Sequence, residues 1–73
     1  MIGYKFIVKD IYSNERREFE LFSALTDPRP VHKEGMKQLK YEEDIEKLYK
    51  DTSGKKDRKF DKLVYDKRRG FLE

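Results

Sequence analysis

Residues 2–22 have the sequence IGYKFIVKDIYSNERREFELF, which predicts an antiparallel β-hairpin. In its first half, apolar and polar side chains alternate with a period of two, which is typical of a strand; the apolar set is Ile2, Tyr4, Phe6 and Val8. Ser13-Asn14-Glu15 supplies turn-forming residues, and the alternation resumes from Arg17 to Phe22. We therefore expect Phe19 and Leu21 to face the core, with Glu18 and Glu20 opposite the lysines of the first strand.

Residues 23–35 predict a connector that follows the hairpin. The segment Thr26-Asp27-Pro28-Arg29-Pro30 contains both prolines of the chain, and each disfavours helical backbone in the residue before it. Asp27 and Pro28 have the residue types of an N-cap and a first helical position, which favours a short helical turn. Gly35 is expected to add a further break.

From Met36 to Asp51 the apolar period changes to that of a helix. Tyr41, Ile45, Leu48 and Tyr49 fall at helical spacing. Glu43–Lys47 and Glu46–Lys50 are ion pairs in the favourable i,i+4 orientation. We expect an amphipathic helix that ends at Gly54.

The last segment permits two interpretations. Phe60, Leu63 and Val64 are spaced as on a second helix, with Asp57 as N-cap and Gly70 beyond its end. Alternatively, residues 62–66 form a third strand. The helical interpretation gives an α+β fold, β-β-α-α, in which residues 1–73 form one small domain with both helices packed on one face of the hairpin.

Composition limits the class of protein. The chain has 73 residues, of which 36% are hydrophobic and 45% charged. This is enough for one hydrophobic core, and we expect the free energy of unfolding to be small. A second copy completing that core, in a homodimer, is an open alternative. There is no cysteine, no signal-peptide pattern and no apolar run long enough to span a membrane, which predicts a cytoplasmic protein.

Catalytic and metal-binding patterns are missing from the sequence. His32 is the one histidine, and it lies in the Pro-rich connector, where we expect an exposed loop side chain. An acidic cluster consists of Glu42, Glu43, Asp44 and Glu46. On a helix these carboxylates would point in different directions, so we expect no metal site and no cofactor. They are expected to be a solvated face, or to meet a basic surface of a partner. We predict that the chain is not an enzyme.

The positive charge is concentrated near the C-terminus. Residues 55–73 carry eight Lys/Arg against four Asp/Glu, and aromatic residues lie among them. The basic side chains are Lys55, Lys56, Arg58, Lys59, Lys62, Lys67, Arg68 and Arg69. Cations with interleaved aromatic rings are typical of nucleic-acid binding, which is the alternative function for this chain. The competing interpretation is a solvated helix face.

The sharpest short motif is Glu18-Phe19-Glu20-Leu21-Phe22. It resembles the peptide that bacterial polymerases insert into the DNA sliding clamp, which has a Gln, an aliphatic residue, a small or acidic residue, then Leu-Phe. Glu20, Leu21 and Phe22 match that pattern, while Glu18 replaces the Gln and Phe19 the aliphatic residue. The resemblance implies that Leu21 and Phe22 are apolar anchors. If both strands form, Phe19 and Leu21 face the core instead.

In size, composition and this pentapeptide, the chain resembles the small host-takeover proteins of bacteriophages, which include a staphylococcal-phage inhibitor of the host sliding clamp. The resemblance implies a protein that blocks a replication protein of a bacterial host by occupying its binding site. We expect the hairpin to supply the anchors and the charged segments to set orientation and association rate.

Overall fold

The computed structural model describes residues 1–52 and 59–72. In these ranges the strands are β1 (Ile2–Asp10), β2 (Arg16–Ser23), β3 (Glu43–Lys50), β4 (Lys62–Asp66) and β5 (Gly70–Phe71), and the helix is α1 (Pro28–Met36). The strands form one antiparallel sheet in the order β2-β1-β3-β4-β5. The fold is α+β, dominated by the sheet.

The predicted hairpin is confirmed. Tyr4 lies opposite Leu21 and Phe6 opposite Phe19, so the apolar side chains of both strands share one face. The turn is held by the Asp10 carboxylate, which accepts hydrogen bonds from the backbone N–H groups of Tyr12 (2.9 Å) and Ser13 (3.0 Å).

The core lies between that face of the sheet and α1. Its buried hydrophobic members in the described ranges are Tyr4, Phe6, Val8, Val31, Ile45, Leu48 and Val64. The buried residues of α1 are Pro28, Val31 and Gly35, and Gly35 lies against the Phe6 ring. The opposite face of the sheet has no helix on it in the described ranges.

Asp27 caps α1 as predicted, accepting a hydrogen bond from the backbone N–H of Arg29 at 3.0 Å. The helix is longer than the expected turn, because it runs nine residues to Met36 and contains Gly35 rather than breaking at it. No helix in residues 1–52 or 59–72 is long and apolar enough to cross a membrane.

The predicted helix over residues 36–51 is wrong. Residues 43–50 form β3, which lies between β1 and β4. A bulge explains the misleading period: Val8 pairs with Ile45 and Ile7 with Lys47, so Glu46 is an extra residue in β3. Ile45 and Leu48 therefore both face the core although they are three residues apart. The expected cap Gly54 lies outside the described residues.

The second predicted helix is also wrong, and with it the β-β-α-α arrangement. Residues 62–66 form a strand, as in the alternative interpretation, and a short turn leads to β5. Leu48 pairs with Tyr65 and Tyr49 with Leu63, so Val64 is a second bulge residue. Gly70 has φ +79°, and it begins β5 rather than ending a helix. Asp57 lies outside the described residues.

Candidate functional site

The clamp-like motif lies on β2, at the edge of the sheet, and its residues alternate between two faces. Phe19 stacks on Phe6 with ring centroids 4.8 Å apart, and Leu21 packs against the core. Phe22 is 49% exposed and lies on the other face, because successive side chains of a strand point in opposite directions. The side chains of Leu21 and Phe22 therefore start from opposite faces of β2, although both residues line one groove beside this strand.

The two glutamates of the motif lie on the face that carries no helix. The Glu18 carboxylate is 2.8 Å from the Lys5 ammonium group, and Glu20 pairs with Lys5 in the strand register. The hydrogen bond with Glu18 raises the pKa of Lys5, with the charge of Glu20 adding to the effect. Both glutamates are exposed, and the strand register and the ion pair associate them with the same cation, Lys5.

A groove of about 420 Å³ runs between β2 and α1. Leu21 and Leu25 line its strand side, and Pro30 and Val31 line its helix side. Its polar lining residues on the helix side are Lys33, Glu34, Lys37 and Gln38. We call this feature the β2–α1 groove. Beside it, the Arg17 guanidinium donates to the carbonyl oxygen of Gln38 at 3.1 Å, which ties β2 to the chain that follows α1.

Three of the four predicted acidic residues are engaged in ion pairs within the chain. Glu43 accepts two hydrogen bonds from Arg17, at 2.7 and 2.8 Å, and Glu46 is 3.1 Å from Arg16. Asp44 is 2.6 Å from the Lys67 ammonium group. The hydrogen bonds from Arg17 are the main reason that the pKa of Glu43 falls to about 2. Glu42 is exposed.

The acidic cluster is thus part of the sheet rather than a solvated helix face. Its charge is largely compensated inside the molecule, which weakens the expectation that it meets a basic partner. Among residues 1–52 and 59–72, no group of three or more His, Cys, Asp or Glu side chains is arranged so that it could hold a metal ion.

The basic segment is divided between a strand, a turn and residues that the structure does not describe. Lys55, Lys56 and Arg58 lie outside the described residues. The backbone N–H of Lys59 donates to Asp51, and Lys62 is on β4. Lys67, Arg68 and Arg69 are exposed in the turn between β4 and β5. The described members of this segment do not form one helix face.

Lys67 and Arg68 of the β4–β5 turn line a cleft together with basic residues from other strands, which the sequence did not predict. This cleft of about 670 Å³ lies at the end of the sheet where the β1–β2 and β4–β5 turns meet. Its basic lining residues are Lys9, Arg16, Lys47, Lys67 and Arg68, and its acidic ones are Asp44, Glu46 and Asp66. The lining residues come from segments far apart in sequence, so no local motif could have revealed the cleft.

His32 is a packed side chain rather than the expected exposed one. Its ring lies 4.4 Å from that of Tyr65 and 5.3 Å from that of Phe71, between centroids. Its Nε2 atom is buried and has no hydrogen-bond partner among the described residues. Burial lowers the pKa of His32, and the nearby charge of Asp44 opposes that change. Proton transfer to a substrate would need a more accessible nitrogen.

No protein-family model, curated protein or solved structure matches this chain, so the geometry described above carries the functional argument.

Proposed function

We propose that this chain is a non-catalytic binding protein that covers a site on another protein, and that the β2–α1 side of the molecule makes the contact. The observation that carries the proposal is the juxtaposition of an eight-residue edge strand with the β2–α1 groove. Edge strands and apolar grooves are recurrent peptide-recognition surfaces.

The titratable groups support binding over catalysis. His32 packs against two aromatic rings, and the carboxylates of Glu43, Asp44 and Glu46 hold partners of opposite charge. A general acid or base needs a side chain within reach of substrate. In the described ranges, these groups serve the packing and pairing of the fold.

The candidate partner is the DNA sliding clamp of a bacterial host, in whose cytoplasm the chain would act as a phage-type inhibitor of replication. The pentapeptide Glu18–Phe22 is the reason for naming it. With Leu21 turned to the core, Phe22 is the member of the pair placed for direct contact. We therefore propose that Phe22 anchors the complex and that Leu21 shapes the groove beside it.

Binding of the full chain to purified bacterial sliding clamp, measured by biolayer interferometry, tests the named partner. We expect Phe22→Ala to weaken binding at least tenfold, since buried aromatic anchors contribute about 2 kcal/mol or more at interfaces. Tyr41→Ala is the matched control, because Tyr41 is 90% exposed and lies outside β2, α1 and the groove lining. No binding by the wild type, or equal loss in both variants, would exclude this role.

Nucleic-acid binding is the second candidate, favoured by the cleft in which Lys9, Arg16 and Lys47 join the basic turn. Two of the cleft's cations, Arg16 and Lys67, form ion pairs with its acidic residues Glu46 and Asp44, which reduces the positive potential available to phosphates. Anisotropy of labelled single-stranded DNA and RNA at low salt tests it. Nucleic-acid binding predicts affinity that falls steeply with added salt and with Arg68→Ser/Arg69→Ser. An absence of binding at low salt eliminates it.

A further inference from the structure

We propose that the outer edge of β2 takes up an extended segment of the partner protein by β-strand addition, and that this segment alternates apolar and basic side chains. The inference rests on the proposed function and specifies its partner chemistry. β2 is the first strand in the sheet order, so β1 is its one neighbouring strand in the described ranges. Alternate N–H and C=O groups of β2 therefore point away from the sheet, where a further strand can pair with them.

The length of β2 favours this edge over the other one. β2 has eight residues, whereas β5, at the opposite end of the sheet order, has two. A strand of five or six residues is typical of sheets in proteins, so β2 can hold a complete additional strand. β5 offers too few groups for that.

The β2–α1 groove determines what one side of the added strand must carry. Side chains of the added strand that point to the α1 face would lie beside Leu21 and beneath Pro30 and Val31. The apolar character of this lining selects aliphatic or aromatic side chains at alternate positions. Lys33, Glu34 and Lys37 also line the groove, and the Glu34 carboxylate lies 3.2 Å from the Lys37 ammonium group, so charge is not what selects side chains on that side.

The opposite side of the added strand would lie beside Glu18 and Glu20. On the β1 side, a lysine already pairs with these carboxylates: Lys5 lies opposite Glu20 in the strand register and forms the 2.8 Å ion pair with Glu18. An added strand on the other edge meets the same two carboxylates. Lys or Arg at the positions facing them gives favourable cross-strand pairs.

The same charges argue against a second copy of this chain as the occupant. When two β2 strands pair antiparallel across a two-fold axis, facing residues lie on the same side of the sheet. The three registers centred on residues 18–20 place Glu18 against Glu18, Glu18 against Glu20, or Glu20 against Glu20. Like charges directly opposite one another are destabilising, so a basic strand from another protein is the better occupant.

The backbone part of the proposal is tested with a synthetic peptide, acetyl-Lys-Leu-Lys-Val-Lys-Leu-Lys-amide. Two further peptides carry N-methyl groups at the odd or at the even positions, so that each loses the donors on one side of the extended backbone. Strand addition predicts that one of the two N-methylated peptides loses more than about tenfold in affinity, since two or three hydrogen bonds disappear. The other peptide keeps its binding. Equal affinities of both, or no binding of the parent peptide, would overturn the proposal.

The charge part is tested by Glu20→Lys, with Glu15→Lys as the matched control in the turn before β2. Glu20→Lys should lower the affinity for the lysine peptide roughly fivefold. It should raise the affinity for a peptide in which Glu replaces each Lys. Glu15→Lys should change neither affinity appreciably. Equal effects of the two variants would show a general charge effect and contradict the assigned position.

The outcomes separate this inference from the proposed function. Sliding-clamp binding that requires Phe22, together with failure of both peptide tests, would leave the protein-binding function intact and overturn strand addition. Peptide binding without clamp binding would support strand addition and remove the named partner. Concentration-dependent dimerisation in sedimentation, strengthened by Glu18→Gln/Glu20→Gln, would assign the edge to a second copy and overturn the inference.

Discussion

Gly35 allows α1 to approach β1 more closely than a larger residue would. A Cβ atom at this position would clash with Cε2 of Phe6, whose ring is fully buried and stacked on Phe19. Alanine normally stabilises a helix by about 1 kcal/mol relative to glycine. Here we expect Gly35→Ala to destabilise the fold by about 1–3 kcal/mol, because the core must shift to admit the methyl group. Urea unfolding of both proteins measures the difference.

A double variant separates packing from other effects of that methyl group. Phe6→Leu shortens the side chain that the methyl group would meet. If the clash is the cause, Gly35→Ala should cost much less in a Phe6→Leu background than in the wild type. An unchanged cost would show that the glycine is needed for another reason.

Glu42 has a backbone conformation that few residues adopt easily. Its φ is +69°, in the left-handed region, where a side chain costs about 1–2 kcal/mol. Its carbonyl oxygen accepts the backbone N–H of Ile11 at 2.9 Å, which fixes this conformation against the β1–β2 turn. Glu42→Gly should therefore raise the free energy of unfolding by about 0.5–1 kcal/mol. Glu42→Ala keeps the strain, so an equal gain in that variant would refute the explanation.

At the scale of elements, the hairpin and the start of α1 could be predicted because their signals are local. Two-residue alternation places Phe6 and Phe19 on one face, and an aspartate before proline caps a helix. β3 and β4 could not be predicted in the same way. Each has a bulge, at Glu46 and Val64. In β3 the bulge puts Ile45 and Leu48, three residues apart, on one face, and that spacing resembles a helix.

The same limit applies to the candidate site. The alternation of residues 18–22 was enough to predict that Phe19 and Leu21 face the core. The groove beside them required the position of α1, and the helix lies there because residues of β1, β3 and β4 form the apolar surface that it covers. Ion pairs such as Arg17–Glu43 join residues 26 positions apart, which no local pattern reports.

The Arg17–Glu43 pair joins β2 to β3 across the edge of β1, and it makes stability depend on acid pH. The pKa of Glu43 falls from 4.5 to about 2 in the folded chain. As the pH is lowered, the unfolded chain therefore binds a proton at this residue before the folded chain does. The stabilisation is complete above about pH 4.5 and is lost as the pH falls toward 2. Glu43→Gln should lower the free energy of unfolding by about 1–2 kcal/mol at pH 6 and by little at pH 2. The expected effect is no larger because Arg17 is 33% exposed and solvent screens the ion pair.

Chemical denaturation at pH 2, 4 and 6 measures this difference. Glu34→Gln is the control, since its pair with Lys37 is 65% exposed on both sides and contributes little. A constant difference between wild type and Glu43→Gln over this range would contradict the assignment to ionised Glu43.

At the scale of the whole molecule, α1 has a different surface on each side. Toward β2 it leaves the apolar β2–α1 groove. Toward β4 and β5 it packs through His32 onto Tyr65 and Phe71, and the Arg29 guanidinium lies 5.5 Å from the Phe71 ring. The aromatic contacts hold the helix to the sheet on the side away from the groove, so a ligand can enter the groove without displacing them.

That aromatic cluster should make the stability of the whole fold depend on pH near neutrality. Burial lowers the pKa of His32 below 6.5, so in the folded chain the imidazole accepts a proton less readily than in the unfolded chain. The contribution of neutral His32 to the free energy of unfolding is fully present above about pH 6.5 and is lost as the pH falls through the folded pKa.

His32→Phe keeps an aromatic ring against Tyr65 and Phe71 and cannot take up a proton. The melting temperature of the wild type should therefore fall more than that of His32→Phe between pH 7.5 and 5. His32 is the one histidine of the chain, so an NMR titration of its ring protons gives its pKa directly. Parallel melting curves, or a measured pKa at or above 6.5, would refute this role for the cluster.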